Sequence, residues 1–259
     1  CPSGKCREYR LNLSVTVGLD KWPYTTELGL QTDSNLSFFD KEFFMKKLIC
    51  FDLDGTLLNT IGDLAARCDA VLWQNGLPQH TTDEYRQMVG CGIRRLVEAA
   101  IPEYLRLPEY VEKVRQDFVA YYTNHIDLHT HPYEGIPQLI ESLAERGVKI
   151  AVASNKFQAG TEQLIRSFFP DVEFVAVLGQ REGIPLKPDP QIDREIIAAA
   201  GVEPSETMHI GDSGVDMQTA RAAGIKAVGV TWGFRSREEL EEGGADAIVD
   251  SPEQILELL

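Results

Sequence analysis

The chain has 259 residues, 43% of them hydrophobic, and sets 25 Lys plus Arg against 40 Asp plus Glu for a net charge of −15. That length supports one sizeable core with room for a smaller lobe, the acidic balance disfavours nucleic acid and anionic membrane surfaces as partners, and no apolar run approaches the roughly 18 residues of a membrane span. Five cysteines, at 1, 6, 50, 68 and 91, match no zinc-site spacing and are too few for a disulfide framework, which points to a reducing, cytoplasmic compartment.

Residues 1–44 show no clean periodicity and mix glycines and prolines with scattered aromatics. A buried-strand pattern starts only after Met45-Lys46-Lys47, with Leu48-Ile49-Cys50-Phe51. Residues 1–44 therefore read as an extension that the folded unit does not need. The aromatics Trp22, Tyr24, Phe38, Phe39, Phe43 and Phe44 also suit a segment that packs on the domain or on a partner.

From residue 45 onward, apolar strands alternate with helical patterns. Strands are expected at 47–53, 148–153, 173–178, 206–210, 225–230 and 246–249. Helices are expected at 135–146, 157–168, 190–201, 214–223 and 235–242, with a short one at 252–258. This alternation predicts a parallel sheet covered by helices on both faces. One interval breaks the rhythm: residues 60–131 read as helices near 60–75, 82–89, 92–100 and 109–124, with no convincing strand. Inserted after the first strand, they would sit as a cap over the carboxyl ends of the strands, where ligands bind in such sheets. The expected division is an extension at 1–44, a core at 45–59 and 132–259, and a helical cap at 60–131.

Four signals fall at strand ends. In Phe51-Asp52-Leu53-Asp54-Gly55-Thr56-Leu57, strand alternation aims Asp52 and Asp54 the same way, and Gly55 permits a tight turn. Two crowded carboxylates repel unless a cation or proton lies between them. One carboxylate of such a pair can attack phosphorus, and the other can protonate a leaving alcohol and later deprotonate water. Ser154-Asn155, after an apolar strand, offers a hydroxyl and an amide to a phosphate oxygen, although that pair is also a common helix cap. Lys187 lies among Pro185, Pro188 and Pro190, a stiff setting for an ammonium that neutralises phosphoryl charge. Finally, His209-Ile210-Gly211-Asp212-Ser213-Gly214-Val215-Asp216 puts two more carboxylates at the start of a helix, and magnesium needs only one or two carboxylates plus phosphate.

In this order, the four motifs resemble the haloacid dehalogenase (HAD) superfamily over about residues 46–259. The resemblance implies an α/β fold: a Rossmann-like parallel sheet core with an inserted α-helical cap. It implies Asp52 as nucleophile and Asp54 as general acid/base, with Thr56 orienting Asp54. Ser154 and Asn155 would contact the phosphoryl group, and Lys187 would stabilise nucleophile and phosphate. Mg2+ would be held by the Asp52 carboxylate, the Asp54 backbone carbonyl and Asp212, with Asp216 behind them or reaching the ion through water. Within the superfamily, Thr60-Ile61-Gly62-Asp63-Leu64, the run from Val89 to Val97, and Pro132-Tyr133-Glu134-Gly135 look like phosphoglycolate phosphatase-like proteins. The implied substrate is a small phosphorylated metabolite, with 2-phosphoglycolate leading. Arg94 and Arg95 lie about 100° apart on a helix, so at most one faces the site, and Arg94 is the candidate contact for a substrate carboxylate. Three rivals stand beside this reading. A dehalogenase does not keep the second acid. A β-phosphoglucomutase-type enzyme usually carries Gly-x-Ser-Arg where this chain has Gly90-Cys91-Gly92-Ile93. A silent binding protein would not need the full acidic set.

Overall fold

The computed structural model describes residues 46–259; the extension expected at 1–44 lies outside the described residues. Six parallel strands form one sheet in the order β5-β4-β1-β6-β7-β8. They are β1 (Leu48–Phe51), β4 (Lys149–Phe157), β5 (Ala176–Gln180), β6 (Thr207–Gly211), β7 (Lys226–Val230) and β8 (Ala247–Val249). All four residues of β1 are buried. Ile49 and Phe51 join the apolar cluster on one face, and Leu48 and Cys50 the cluster on the other. A strand covered on both faces has no polar side, which is why the sequence shows a run here instead of alternation.

Between sheet strands lie α5 (Ile136–Glu145), α6 (Gln158–Phe168), α7 (Gln191–Ala200), α8 (Gly214–Ala223) and α9 (Arg237–Gly243). The chain leaves β1, passes through the cap, and returns as β4 on one side of β1; β6 later comes back on the other side. The strand order therefore reverses at β1, and the loops after β1, β4 and β6 open into one crevice.

The cap consists of α1 (Ile61–Gln74), α2 (Thr82–Met88), α3 (Ile93–Ala100) and α4 (Pro108–Thr123), with a short 3-10 turn at Glu103–Leu105. On α4, Val111, Val114, Phe118 and Tyr122 are buried at helical spacing and form its inner stripe. At the start of α2, Thr81 and Glu84 form a capping box. Two short segments that the sequence reading does not register frame the cap. β2 (Leu58–Asn59) and β3 (His131–Pro132) pair antiparallel, Leu58 with Pro132 and Asn59 with His131.

Asp63 ties the two connections together. It is fully buried, and its Oδ2 accepts from the backbone N–H groups of His129 and Thr130 and from the Thr130 hydroxyl, each at 2.8 Å. Asp63→Ala strands these donors, and we expect it to lower unfolding free energy by about 2–4 kcal/mol. Denaturant titration checks this, with Asp63→Asn recovering part of the loss; equal stability of Asp63→Ala and the parent would show the knot to be dispensable.

Several element bounds differ from expectation. β1 ends at Phe51, β4 runs on to Phe157, and β5 begins at Ala176 instead of 173. The last segment, Pro252–Leu258, is a 3-10 helix.

Candidate active site

Asp52 follows the last residue of β1, and its backbone N–H still bonds to the Ile210 carbonyl of β6 at 2.9 Å. The strand therefore hands Asp52 directly to the crevice. Asp52 Oδ1 accepts from Lys187 Nζ at 2.9 Å. Lys187 fills its other two N–H positions with Asp216 Oδ1 at 2.6 Å and the Ala153 carbonyl at 2.7 Å. It is only 5% exposed, so this lysine is not a solvated loop side chain. Burial works against its charge, but Asp216 and Asp52 outweigh that and hold Lys187 protonated above its usual range.

Asp212 directly follows β6 and is buried, with Oδ2 accepting from the Phe234 N–H at 2.7 Å. Two glycines make room for it. A Cβ on Gly55, whose φ is +92°, would stand 2.3 Å from Asp212 Oδ2, and one on Gly233 would stand 2.2 Å from Asp212 Cβ. Gly55 is thus required twice, for its left-handed backbone and for the carboxylate against it. Asp216 sits in the first turn of α8. Its Oδ2 takes the Ser213 N–H and hydroxyl, and its Oδ1 takes Lys187 and the His209 ring at 3.3 Å.

Asp52, Asp212 and Asp216 bring one oxygen each within 4.8 Å of one another, all buried. Burial, then Asp216 and Asp54, push Asp52 up to about 6 against the pull of Lys187. Burial, Asp216 and Asp52 raise Asp212 well above the carboxylate range. Burial also disfavours the Asp216 charge, but Lys187 and His209 prevail and keep it below the usual range. One ammonium and one histidine do not balance this cluster. Three hard oxygen donors with excess negative charge fit a divalent cation of the magnesium type.

The Asp54 carboxylate stands apart from that trio. Alternation along a strand does not place it, because β1 has already ended. Lys156 does, bonding both Asp54 oxygens at 3.1 and 3.3 Å. The register of β4 against β5 shifts between Ala153 and Phe157. This irregularity lets the consecutive residues Ser154, Asn155 and Lys156 all line one cavity. Since β4 runs through them and α6 begins at Gln158 without a side-chain cap, the helix-cap reading of Ser154-Asn155 does not hold.

Three expected contacts come out differently. The Asn155 side chain is already engaged: Oδ1 accepts the Lys187 N–H at 2.8 Å, and Nδ2 donates to the carbonyls of Gly90 and Lys187. It clamps the lysine loop and the cap, leaving no free amide hydrogen-bonding set for a phosphoryl group. Thr56 is fully buried, its hydroxyl has no hydrogen-bond partner among the described residues, and its carbonyl accepts from Trp232 Nε1, so it neither lines the cavity nor orients Asp54. Arg94 points outward, half exposed, onto Glu98 at 3.1 Å with Glu112 at 4.0 Å. Ile93 and Leu96 turn that helix's apolar face to the cavity instead.

The cavity measures about 670 Å³ including space open to solvent. Its floor carries Asp52, Asp54, Ser154, Lys187 and Asp212, while the cap supplies Val89, Ile93, Leu96, Phe118 and Tyr122. Residues the sequence reading missed also stand here. Arg235, after β7, donates to cap carbonyls of Arg86 and Val89. His209 bridges Asp193 and Asp216 from a fully buried position; burial opposes its charge, yet Asp193 and Asp216 push it up to about 9. Nothing in local periodicity marks these partners, because their role is set by distant elements.

A family model described as haloacid dehalogenase-like hydrolase matches residues 49–230. The chain is 32% identical to N-acetylmuramic acid 6-phosphate phosphatase of Pseudomonas aeruginosa, over 82% of this chain and 94% of that one. It is 33% identical to phosphoglycolate phosphatase of Mesorhizobium japonicum, over 76% and 87%. The crystal structure of a predicted phosphoglycolate phosphatase from Haemophilus somnus superposes with a TM-score of 0.75 at 27% identity, covering 82% of this chain and 97% of that one. The chain belongs to the haloacid dehalogenase-like hydrolases, and it is a phosphatase of that family.

Proposed function

We propose that this phosphatase hydrolyses a small phosphorylated metabolite in a magnesium-dependent reaction, through a phosphoryl group carried transiently on Asp52. One observation carries the reading: two carboxylates in one cleft, Asp52 and Asp54, are each held by a different buried lysine. In this scheme Asp52 attacks phosphorus as the bond to the leaving oxygen breaks, and Asp54 gives that oxygen its proton. Lys187 neutralises charge on the nucleophile and the phosphoryl group. A water oxygen then bonds to phosphorus as the bond to Asp52 breaks, which releases phosphate and the free carboxylate, while Asp54 takes the water's proton. A magnesium ion held by Asp52 and Asp212, with Asp216 behind them and the Asp54 carbonyl as further ligand, would supply positive charge to the phosphoryl oxygens.

We take 45–59 and 132–259 as the core unit and 60–131 as the cap. Among the described residues Cys50, Cys68 and Cys91 are free thiols, which supports a reducing, cytoplasmic setting. Among the described residues no helix is long and apolar enough to cross a membrane. The acidic balance supports a small metabolite, and no nucleic acid, as the partner.

2-Phosphoglycolate is the first substrate to test, and the relatives' names add N-acetylmuramic acid 6-phosphate. The outward position of Arg94 removes the residue expected to select a carboxylate. The mutase alternative is tested on β-glucose 1-phosphate. Phosphate release should be greatest for one of the two named phosphatase substrates, vanish with chelator, return with magnesium and be inhibited by calcium. Full activity in excess chelator would remove the metal role, and efficient conversion to glucose 6-phosphate without phosphate release would replace the phosphatase by a mutase.

A further inference from the structure

The cavity contains a second buried ammonium that phosphoryl neutralisation leaves unused. Lys156 is 7% exposed. Besides both oxygens of Asp54, its Nζ contacts the Tyr122 hydroxyl at 2.9 Å and stands 4.7 Å from the centre of that ring. Lys156 belongs to β4 of the sheet, and Tyr122 to α4 of the cap. One side chain thus joins the core, the cap and the carboxylate assigned to proton transfer.

The arrangement is more specific than charge balance requires. Neutralising Asp54 needs a cation, but it does not need a partner on the cap. Tyr122 is itself fixed by cap packing: it is fully buried and stacks on Phe118 with ring centres 5.2 Å apart. Its edge meets Phe157 of β4 at 6.3 Å. Where the cap goes, the hydroxyl goes, and the lysine's flexible four-carbon stem follows its acceptors. Other polar contacts cross between the lobes, such as Arg235 to Val89 and Asn155 to Gly90. Lys156 is the one whose remaining partner is Asp54. Thr56, the sequence's candidate for orienting Asp54, makes no side-chain hydrogen bond among the described residues.

We propose that Lys156 is a positioning residue which, through Tyr122, couples the closed position of the cap to the alignment of Asp54 for proton transfer. The proposal rests on the assignment of Asp54 as the proton-transfer group. In the first half-reaction the Asp54 proton moves to the leaving oxygen as the P–O bond breaks and the bond from Asp52 forms. In the second, a water proton returns to Asp54 as the water oxygen bonds to phosphorus and the bond from phosphorus to the Asp52 oxygen breaks, which releases phosphate and restores the carboxylate. Misalignment of Asp54 therefore costs most when the leaving group cannot depart without a proton.

That dependence gives a readout that loss of packing does not produce. Lys156→Met, Tyr122→Phe and Asp54→Asn are compared in the full chain with magnesium, on glycerol 2-phosphate and on p-nitrophenyl phosphate. An alkoxide needs the proton to leave, whereas nitrophenolate does not. For Lys156→Met, kcat/KM on glycerol 2-phosphate should fall about a hundredfold, within the usual range for general acid catalysis, and at least about tenfold more than on the aryl ester. Tyr122→Phe keeps the ring and its packing, so it reports even if Lys156→Met does not fold. It should fall about threefold to tenfold on the alkyl ester, the effect of one hydrogen bond, with the same bias. Asp54→Asn separates the two levels of the argument. If it shows no leaving-group bias, Asp54 is not the acid, and the proposal falls with its premise. If Asp54→Asn is biased but Tyr122→Phe loses equally on both esters, the chemistry stands and the coupling through Lys156 is overturned.

Discussion

Asp52→Asn is expected to cut phosphate release by at least about a thousandfold while the protein stays folded. The amide has the shape of the carboxylate but is a poor nucleophile, so the phosphoryl group has nothing to bond to. The fold is expected to tolerate the change for an electrostatic reason. Asp52 is buried beside Asp216 and Asp54, and its carboxyl is pushed up to about 6. A folded-state value above that of the unfolded chain means that the native state binds the proton more tightly. In metal-free protein this group therefore costs stability as pH rises from about 4 through about 6. Asparagine carries no charge and escapes that cost, and Lys187 keeps Asp216 and the Ala153 carbonyl as partners. In chelator at pH 7 the variant should melt no lower than the parent. More than a few per cent of parental turnover, with folding confirmed, would sink the phospho-Asp52 scheme.

Lys187→Met should lose both turnover and stability. The change removes the cation shared by Asp52 and Asp216 and leaves two buried carboxylates facing each other. Breaking a buried pair from one side costs about 3–5 kcal/mol. The pH dependence carries the diagnosis. In the parent, Lys187 and His209 overcome burial and hold Asp216 below the usual carboxylate range. A depressed folded-state value contributes stability that is present at neutral pH and is lost as pH falls through the acid range. The gap between parent and variant should thus be full at pH 7 and narrow below about pH 4. Urea titrations of metal-free protein at several pH values measure it. A gap that is absent at pH 7, or that widens in acid, would show that the lysine does not hold these carboxylates.

The parts of the site legible in the sequence are those that follow apolar strand runs. Asp52, Ser154 and Asp212 follow apolar runs that fix where the chain emerges, and the prolines around Lys187 mark a loop with few options. Asp216 was legible because it lies four residues after Asp212 at a helix start. Contacts made by long side chains across the fold were not. Lys156 reads as an ordinary lysine until β4 extends past Ala153 and the cap brings Tyr122 beside it. Arg94 failed for a related reason. Helical spacing shows that Arg94 and Arg95 diverge, but the face that turns inward is decided by Ile93 and Leu96, which join the apolar cluster. The strand bounds slipped where local apolarity outlasts pairing. Leu53 is buried with the core although the ladder stops at Phe51, so burial alone does not define a strand end.

The β2–β3 ribbon has a consequence for how this molecule tolerates change. It pins Asn59 beside His131, so the outgoing and returning chains share one doorway. A segment whose ends are fixed side by side adds little loop-closure entropy when it is lengthened, because that cost grows only with the logarithm of length. Its ends also impose no new distance on the sheet when it is shortened or exchanged. The six-stranded sheet, with Asp52, Lys187 and Asp212, can then be inherited unchanged while the helices above it are rebuilt. The cap is then exchangeable as a unit provided its contacts to the catalytic floor are kept, Tyr122 against Lys156 among them.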